Sequence, residues 1–518
     1  MFERLKRYVS DQTGLGRLRK ALAGGGLIFQ AGGAYRGADI TRLNKSWQPQ
    51  HYSGDGAIQQ AWDLLTRRIR DLGRNDPAII ALREVLTNNV IRTGIATMAA
   101  ATVEDDPDDE YNDESDSRWE EYCLDHADWE GKLSFQDIQR QLFKEMLEPG
   151  EALLLECADP SPDRPIPLCY QVLEGEQLDE TVDRQAGPQQ NEIVRGIELD
   201  RRRRPVAYWL FDVNPNDPHA SYQARSVRVP AERILHLVLP GRPSATRGVS
   251  LYSAITQSAR DLDNYLGTEL TAAIIASLFT VVHKTGNPGV GMGFADGDAE
   301  ADDYGNQRVK LGRGIVSQIA REDSVEALTV NRPNAQARTF VDLILMLIGM
   351  GGGISKYRLT RDYSATTYVA ARAARLDDAD AFEPMQAYFG RRVCRRVRRR
   401  WTQLMAGYGR FTSLTPAQFA AQPSRWLACE LLYPGVAQID KQKETDADLA
   451  SLGAHTSTYQ RIYARQGLNY RRELRQAKRE KDFLALLQLQ PNLMRPSTPA
   501  AGYPSDPNLA DMPAAANP

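Results

Sequence analysis

The sequence predicts an α+β protein in which helical segments flank a β-rich segment, and three patterns carry this prediction. Residues 57–90 repeat apolar side chains at helical spacing, and residues 152–239 hold short apolar runs between turn residues. Residues 250–279 return to the periodicity of a long helix. At 518 residues the chain exceeds what one hydrophobic core usually organises, so about two to four domains are expected.

The first elements follow from local signals. Residues 1–56 are rich in Gly and Arg and are predicted to form an extended arm that begins with one short helix. Two consecutive helices follow, because Asp76 offers an N-cap and Pro77 suits the first position of the second helix. The acidic, proline-broken segment 104–116 is predicted to be a solvated loop.

A further helix is predicted after the acidic segment. Ser134 and Asp137 stand at the spacing of a capping box, and Gly150 follows the end of the helical pattern. After the β-rich segment, a long helix is expected from Ser250 and a second one from Asn334, with a glycine-rich loop and short strands between them. The chain then predicts a basic loop, a long helix kinked at Pro384, mixed short elements and a disordered tail.

Composition excludes several classes of protein. The chain has 64 Lys and Arg against 67 Asp and Glu, so its net charge of −3 is unlike that of a dedicated nucleic-acid-binding protein. Its five cysteines form no CxxC pair, which argues against a disulfide framework and a zinc site. The longest apolar runs, 272–282 and 341–350, are too short to span a bilayer. With no N-terminal signal, a soluble cytoplasmic protein is expected.

A run of arginines is the most conspicuous local feature. At 100° per residue the run places seven arginines on one arc of a helix, with Val393, Val397 and Trp401 on the other side. Such a face can track phosphates, lie on an anionic membrane, contact an acidic protein surface or remain solvated. The seven residues are Arg391, Arg392, Arg395, Arg396, Arg398, Arg399 and Arg400.

No motif assigns a catalytic residue, a metal ligand or a cofactor. The sequence lacks a Walker A loop, an HExxH helix and a GxSxG turn. The alternative is a metal-dependent DNA-processing enzyme, in which Asp377 and Asp378 would bind Mg²⁺ and the basic helix would hold DNA.

Six segments, in their order and spacing, resemble the lambda-type portal proteins of tailed bacteriophages. Each is weak alone, and together they are specific. They are "LLTRRIRDLGRNDPAIIALREVLTNNVIRTGI", "DWEGKLSFQDIQRQLFKEMLEPGEALLL", "IVRGIELDRRRRPVAYWLF", "ILHLVLPGRPSATRGVSLYSAITQSARDLDNYLGTELTAAIIA", "RLTRDYSATTYVAARAARLDD" and "QIDKQKETDADLASLGAHTSTYQRIYARQGLNYRREL".

The resemblance implies a non-enzymatic portal fold with a wing, a helical stem, a small α/β clip and a helical crown. Twelve identical subunits would form a ring around a channel for double-stranded DNA. The implied partners are the terminase large subunit, head-tail adaptor proteins, and the major capsid and scaffold proteins, with no membrane. The implied location is the portal vertex of the virion capsid, and the host cytoplasm during assembly.

The resemblance also implies a division of the chain by position. The predicted segments are an N-terminal arm (1–56), a wing (57–249), a first stem helix (250–282), a clip (283–333), a second stem helix (334–349), a channel loop (350–368), a long kinked wing helix (369–410), a C-terminal wing or crown part (411–487) and a disordered tail (488–518).

Two groups of basic residues become candidate sites. Lys356, Arg358 and Arg361, on the implied channel loop, are predicted to contact the DNA backbone transiently. The arginine run is predicted to lie at a subunit interface, or at the crown-side DNA opening, because a strongly basic pore wall would hold moving DNA too tightly. A ring also needs complementary surfaces, and segment 351–410 has thirteen basic residues whereas segment 101–131 has fourteen acidic ones.

Overall fold

A computed structural model shows an α+β chain. It describes residue 42 and residues 45–104, 106–219, 224–239, 241–277, 336–364, 366–435 and 441–487, together with four short strands between residues 281 and 327. Contacts divide the chain into residues 1–57 and residues 58–518. The predicted tail and nearly all of the predicted arm, including its short helix, lie outside the described residues.

The two consecutive helices near the start are confirmed. Helix α1 spans Gly54–Asn75 and helix α2 spans Pro77–Val90. Asp76 caps α2, because its carboxylate accepts the Ile79 backbone N–H at 2.8 Å. Leu82, Leu86 and Val90 on α2 are fully buried, so this short helix lies in the main core.

The prediction of a loop over residues 104–116 is wrong. Strand β2 (Thr102–Val103) and strand β3 (Asp106–Pro107) form a small hairpin at its start. The rest of the segment belongs to helix α3, which spans Asp109–Asp125. Asp108 caps α3, and acidic residues in its first turn interact favourably with the helix dipole. Its buried aromatic side chains make it a core helix, and these are Tyr111, Trp119 and Tyr122.

The capping box is confirmed. Ser134 Oγ accepts the Asp137 N–H at 3.2 Å, the Asp137 carboxylate accepts the Ser134 N–H at 3.2 Å, and helix α4 runs over Phe135–Leu147. The β-rich segment follows as predicted. Its strands are β4 (Glu151–Cys157), β5 (Cys169–Leu173), β6 (Glu192–Val194), β7 (Ile197–Leu199), β8 (Pro205–Phe211), β9 (Ser226–Pro230) and β10 (Ile234–Val238).

These strands form two antiparallel sheets, ordered β10-β4-β5 and β6-β7-β8-β9. A smaller second core lies between them and includes Leu153, Ile197, Tyr208 and Leu210. A separate two-stranded sheet pairs β1 (Ala96–Ala99) with β15 (Cys429–Leu432), so distant parts of the chain close on one another.

The long helix predicted from Ser250 begins later. Helix α5 spans Thr256–Ser277, while residues 251–255 form turns. Ser250 stabilises the segment before α5, because its hydroxyl donates to the Leu147 carbonyl at 3.2 Å and accepts the Tyr252 N–H at 3.0 Å. In the predicted clip, the described residues are the strands β11 (Val281–Lys284), β12 (Ala299–Ala301), β13 (Gln307–Val309) and β14 (Ser324–Ala327).

The second long helix extends beyond Gly349, where it was predicted to end. Helix α6 spans Ala337–Gly352, and a short helix α7 follows at Lys356–Thr360, inside the predicted channel loop. The glycines permit close packing here. A Cβ at Gly352 would lie 2.6 Å from a Leu82 methyl carbon, and one at Gly351 would lie 2.2 Å from Ile255 Cγ2.

The helix predicted over residues 369–410 is nearly as long as expected. Helix α8 (Tyr368–Phe389) contains Pro384, passes into a π-helical turn at Gly390–Cys394 and continues as α9 (Arg395–Gly407). Short helices follow, as predicted for the C-terminal part. They are α10 (Pro416–Ala421), α11 (Pro423–Trp426), α12 (Lys441–Gly453), α13 (Tyr459–Arg465) and α14 (Tyr470–Leu486).

Candidate functional site

The basic helix presents six of its seven arginines to solvent. Along the π-helical turn and α9, buried residues recur in adjacent pairs every four positions, and the arginines fill most of the positions between. Val393, Cys394, Val397 and Trp401 are fully buried, as the helical arc predicted. The exposed arginines are Arg391, Arg392, Arg395, Arg396, Arg399 and Arg400.

Arg398 is the exception, and its placement on the exposed face was wrong. Its side chain is only 2% exposed and pairs with Asp116 on α3 at 2.8 Å. The same nitrogen donates to Ser115 Oγ at 2.8 Å, and the guanidinium lies 5.0 Å from the Trp119 ring and 4.9 Å from the Trp401 ring. Arg398 stood at the edge of the predicted arc, and α3 supplies the partners that permit its burial.

The exposed arginines differ in their partners. Arg400 forms a two-pronged ion pair with Glu156 on β4, with a shortest N–O distance of 2.7 Å. Arg392 lies 5.9 Å from the Tyr388 ring. Among the residues that the structure describes, no ion pair engages the other members of the face. We call Arg391, Arg392, Arg395, Arg396 and Arg399 the basic surface.

The three basic residues of the predicted channel loop do not share one environment. Lys356 lies 3.5 Å from Asp342 on α6. Arg358 donates to Asn89 Oδ1 and lies 5.2 Å from the Phe382 ring, half-buried. Arg361 is exposed and caps α7 with a left-handed backbone, at φ 57°. The structure thus places Arg358 against α2 and α8 and leaves Arg361 at the surface.

Asp378 has a structural role. It is buried on α8, and its carboxylate accepts the Ser355 N–H at 2.7 Å and the Ser355 hydroxyl at 2.9 Å, which fixes the start of α7. Across the described part of the chain, no cluster of three or more His, Cys, Asp or Glu side chains could hold a metal ion. The geometry therefore gives no support to the Mg²⁺ site that the alternative, a metal-dependent enzyme, would need at Asp377 and Asp378.

Part of the acidic segment is neutralised within its own chain. The prediction paired this segment with the basic segment of a neighbouring subunit, but arginines of the C-terminal helix α14 and of α9 already occupy it. The contacts made by α14 are exposed, sensitive to salt and individually weak, whereas Arg398 on α9 is buried. The pairs are Arg398 with Asp116, Arg471 with Asp109 at 2.7 Å, Arg472 with Glu120 at 2.9 Å, and Arg475 with Asp113.

A buried charged cluster joins the β-rich part to the approach to α5, and sequence reasoning missed it. Arg247 Nε donates to Glu151 Oε1 at 2.6 Å, and its guanidinium lies 4.5 Å from the Trp62 ring. Burial alone would raise the pKa of Glu151, but the charge of Arg247 and a hydrogen bond with His236 lower it to about 2. Glu151 therefore stays ionised inside the protein.

A second buried group lies beside it. Arg70 on α1 contacts the carboxylates of Glu145, Glu148 and Glu176. Burial raises the pKa of Glu145 to about 7 in spite of the hydrogen bond from Arg70, and the negative charges of Glu176 and Glu174 add to this effect. The sequence did not predict this group, because the carboxylates are separated from Arg70 by long stretches of chain.

Comparison with known proteins identifies the family. The model of the family "Phage portal protein, lambda family" matches residues 41–386. The chain belongs to the lambda family of phage portal proteins. This portal protein is 22% identical over 443 residues to the probable portal protein of Halomonas phage phiHAP-1, covering 84% of this chain and 83% of that protein.

Other relatives agree. Portal protein B of Escherichia phage lambda is 20% identical over 480 residues, covering 87% of this chain and 89% of that protein. Among solved structures, the neck of a native GTA particle computed with C12 symmetry is similar at 12% identity and a TM-score of 0.41, covering 78% of this chain and 94% of that one. The predicted family is confirmed, and the metal-dependent enzyme finds no support in these relatives.

The portal protein has no helix in its described residues that is both long and apolar enough to cross a membrane.

Proposed function

We propose that this portal protein assembles as a closed ring of twelve subunits around a channel through which double-stranded DNA enters and leaves the capsid. In this role the protein is not an enzyme. The terminase large subunit docks on the ring during packaging, in the host cytoplasm, and head-tail adaptor proteins dock afterwards. In the virion, the ring occupies the capsid portal vertex, where it contacts the major capsid protein, and scaffold protein surrounds it during assembly. Family membership supports this proposal.

The observation that supports ring assembly is the large exposed apolar surface on the two long helices α5 and α6. On α5, Leu266, Leu270 and Ile274 follow one another at four-residue spacing, and Leu270 is 64% exposed. On α6 the exposed apolar side chains include Phe340, Leu343, Met346, Leu347 and Met350. Contiguous apolar surface of this kind marks an interaction site. In a ring, helices of adjacent subunits would cover these faces.

The mass of the purified protein in solution tests the ring. Static light scattering after size-exclusion chromatography is expected to give a mass near twelve times the 57.9 kDa chain, or that of a neighbouring ring size. Electron micrographs of the same fraction should show rings with a central hole. A protein that stays monomeric at high concentration would contradict the proposal.

We assign the basic surface to the interface between subunits. Five exposed guanidinium groups without described acidic partners repel one another, and an acidic surface on the next subunit would relieve that repulsion and fix its orientation. The second candidate is contact with DNA at the crown-side opening. Replacing Arg395, Arg396 and Arg399 with Glu separates the two assignments.

An interface role predicts that this charge-reversed variant fails to form rings. A DNA-contact role predicts normal rings that fail only in packaging. The matched control replaces Arg201, Arg202 and Arg204 with Glu, because these arginines are exposed in the β-rich part and carry the same charge. Assembly defects of equal size in both variants would indicate a general effect of charge, which would count against the interface assignment.

A further inference from the structure

A cleft of about 1290 Å³ opens beside the C-terminal end of α2 and collects arginines from distant parts of the chain. Its lining comes from α2, α7 and α8 and from the residues after β15, α12 and α13. Three acidic residues, Asp380, Glu383 and Asp448, also line it, so basic groups outnumber acidic ones two to one. The arginines are Arg92, Arg358, Arg372, Arg375, Arg461 and Arg465.

Three of these guanidinium groups repel one another. The pKa of Arg358 is lowered, chiefly by burial and further by the positive charges of Arg375 and Arg92. Asp378 partly offsets this effect, but Ser355 already occupies its carboxylate. Within the described residues, no ion pair engages Arg92 or Arg358. Arg465 is paired with Asp448 at 3.0 Å, so among the described side chains the positive charge left without an ion pair includes that of Arg92 and Arg358.

The backbone at Arg92 is held in a tight turn. Arg92 follows the end of α2 with a φ of 51°, in the left-handed region that favours glycine, and its N–H donates to the Thr87 carbonyl at 3.1 Å. This turn fixes the point at which the Arg92 side chain leaves the backbone, at the lining of the cleft.

The surroundings of Arg358 prepare it to bind a phosphate. Its guanidinium is oriented by the hydrogen bond to Asn89 and by the Phe382 ring, so less rotational freedom is lost when a ligand binds. A planar guanidinium offers paired N–H donors that match two oxygens of a phosphate group. Because arginines outnumber carboxylates in this concave site, the electrostatic potential that attracts an anion is focused there.

We propose that this cleft binds the phosphodiester backbone of DNA, with Arg92, Arg358 and Arg375 contacting phosphate oxygens from one side and Arg461 from the other. This inference rests on the proposed function, which brings DNA to the predicted channel loop that carries Arg358. Arg92 and Arg461 lie far from that loop in sequence and join the site only in the folded chain.

DNA fits these observations better than an acidic protein segment. The richest acidic part of this chain, on α3, is largely occupied by its own arginines at Asp109, Asp113 and Glu120. Transient contact also suits a cleft in which Asp380 and Glu383 lie among the arginines, because these carboxylates repel phosphates and limit the affinity.

The test measures how the full-length assembled protein binds a short fluorescent DNA duplex across a range of salt concentrations. Each lost phosphate contact reduces the slope of log K against log salt by about 0.9. Replacing Arg92, Arg358 and Arg375 with Gln is therefore expected to reduce the slope by about 2 to 3. In the control variant, Gln replaces Arg201, Arg202 and Arg225, which are exposed arginines of the β-rich part. This variant should show the same slope as the original protein.

Two results would overturn the proposal. One is an unchanged slope in the triple variant. The other is a poly-glutamate peptide that binds the original protein more tightly than the DNA duplex does at the same salt concentration, and that loses this binding in the triple variant, which would make the cleft a site for an acidic protein. A triple Lys variant at the same positions keeps the charge, so recovery of the slope would separate loss of contact from misfolding. If the triple variant forms normal rings and binds DNA with an unchanged salt dependence, this inference alone is refuted. If the original protein forms no rings, the proposed function is refuted.

Discussion

Replacing Arg398 with Met should be among the most destabilising single changes in α9. The substitution keeps apolar packing between the two tryptophan rings but removes the partner of Asp116. Breaking a buried ion pair on one side costs about 3–5 kcal/mol. The Asp116 side chain is 26% exposed and still accepts the Ala99 N–H at 2.8 Å, so the lower end applies. We expect a loss of about 3 kcal/mol, or roughly a hundredfold in the unfolding equilibrium.

Urea unfolding followed by tryptophan fluorescence measures this effect, because Trp119 and Trp401 flank the substituted side chain. The matched control is Arg399→Met, one residue further along the same helix, where the side chain is exposed. A surface change of this kind should alter stability by less than about 0.5 kcal/mol. Equal shifts of the unfolding midpoint in the two variants would refute the burial argument.

Acid provides a second test of the same reasoning. Burial raises the pKa of Asp116 in spite of the charge of Arg398, and removal of that charge would raise it further. When Asp116 is protonated, the Arg398→Met variant no longer buries an uncompensated charge. The difference in stability between the variant and the original protein should therefore shrink as the pH falls. A difference that grows in acid would contradict the assignment of Asp116 as the unpaired charge.

Two further predictions concern the part of the chain around α5. Gly248→Ala should destabilise the protein by about 2 kcal/mol or more, because the new Cβ would lie 2.1 Å from the Gly150 carbonyl oxygen. Gly267→Ala, with open space around it, should stabilise α5 by about 0.5–1 kcal/mol. Thermal unfolding of the two variants measures both effects. Glu145→Gln should reduce the dependence of the free energy of unfolding on pH. The folded pKa of Glu145, about 7, exceeds its usual 4.5, so its contribution to stability is complete below pH 4.5 and is lost as the pH rises through 7. A profile unchanged between those limits would contradict that pKa.

The sequence predicted the elements whose signals are local. Asp76 before Pro77, and Ser134 three residues before Asp137, fix helix starts through contacts within one turn, so no distant partner is needed to recognise them. Helix α3 was missed because its acidic first turn looked like a solvated loop. The core-facing spacing of Tyr111, Trp119 and Tyr122 was the stronger signal.

Features that depend on distant contacts could not be predicted in the same way. Arg398 has its partner, Asp116, 282 residues away in sequence, so nothing local distinguished it from the exposed arginines beside it. The glycines at the end of α6 fell within the predicted channel loop, but Gly352 belongs to the helix and allows it to approach Leu82 on α2. The arginines of the cleft come from three separate regions, and only the folded chain brings them together.

The two kinds of exposed surface have different consequences for a ring. Apolar faces such as the one around Leu270 gain free energy when water is removed, and salt at physiological strength weakens that gain little. The basic surface acts through charge, which is screened within about 8 Å at physiological ionic strength. The apolar faces can therefore supply most of the association energy, while the arginines select the orientation in which subunits meet. The chain neutralises Arg398 internally, whereas Arg395 and Arg399 are exposed and have no acidic partner among the described residues, so in the proposed ring this charge stays available to a neighbouring subunit.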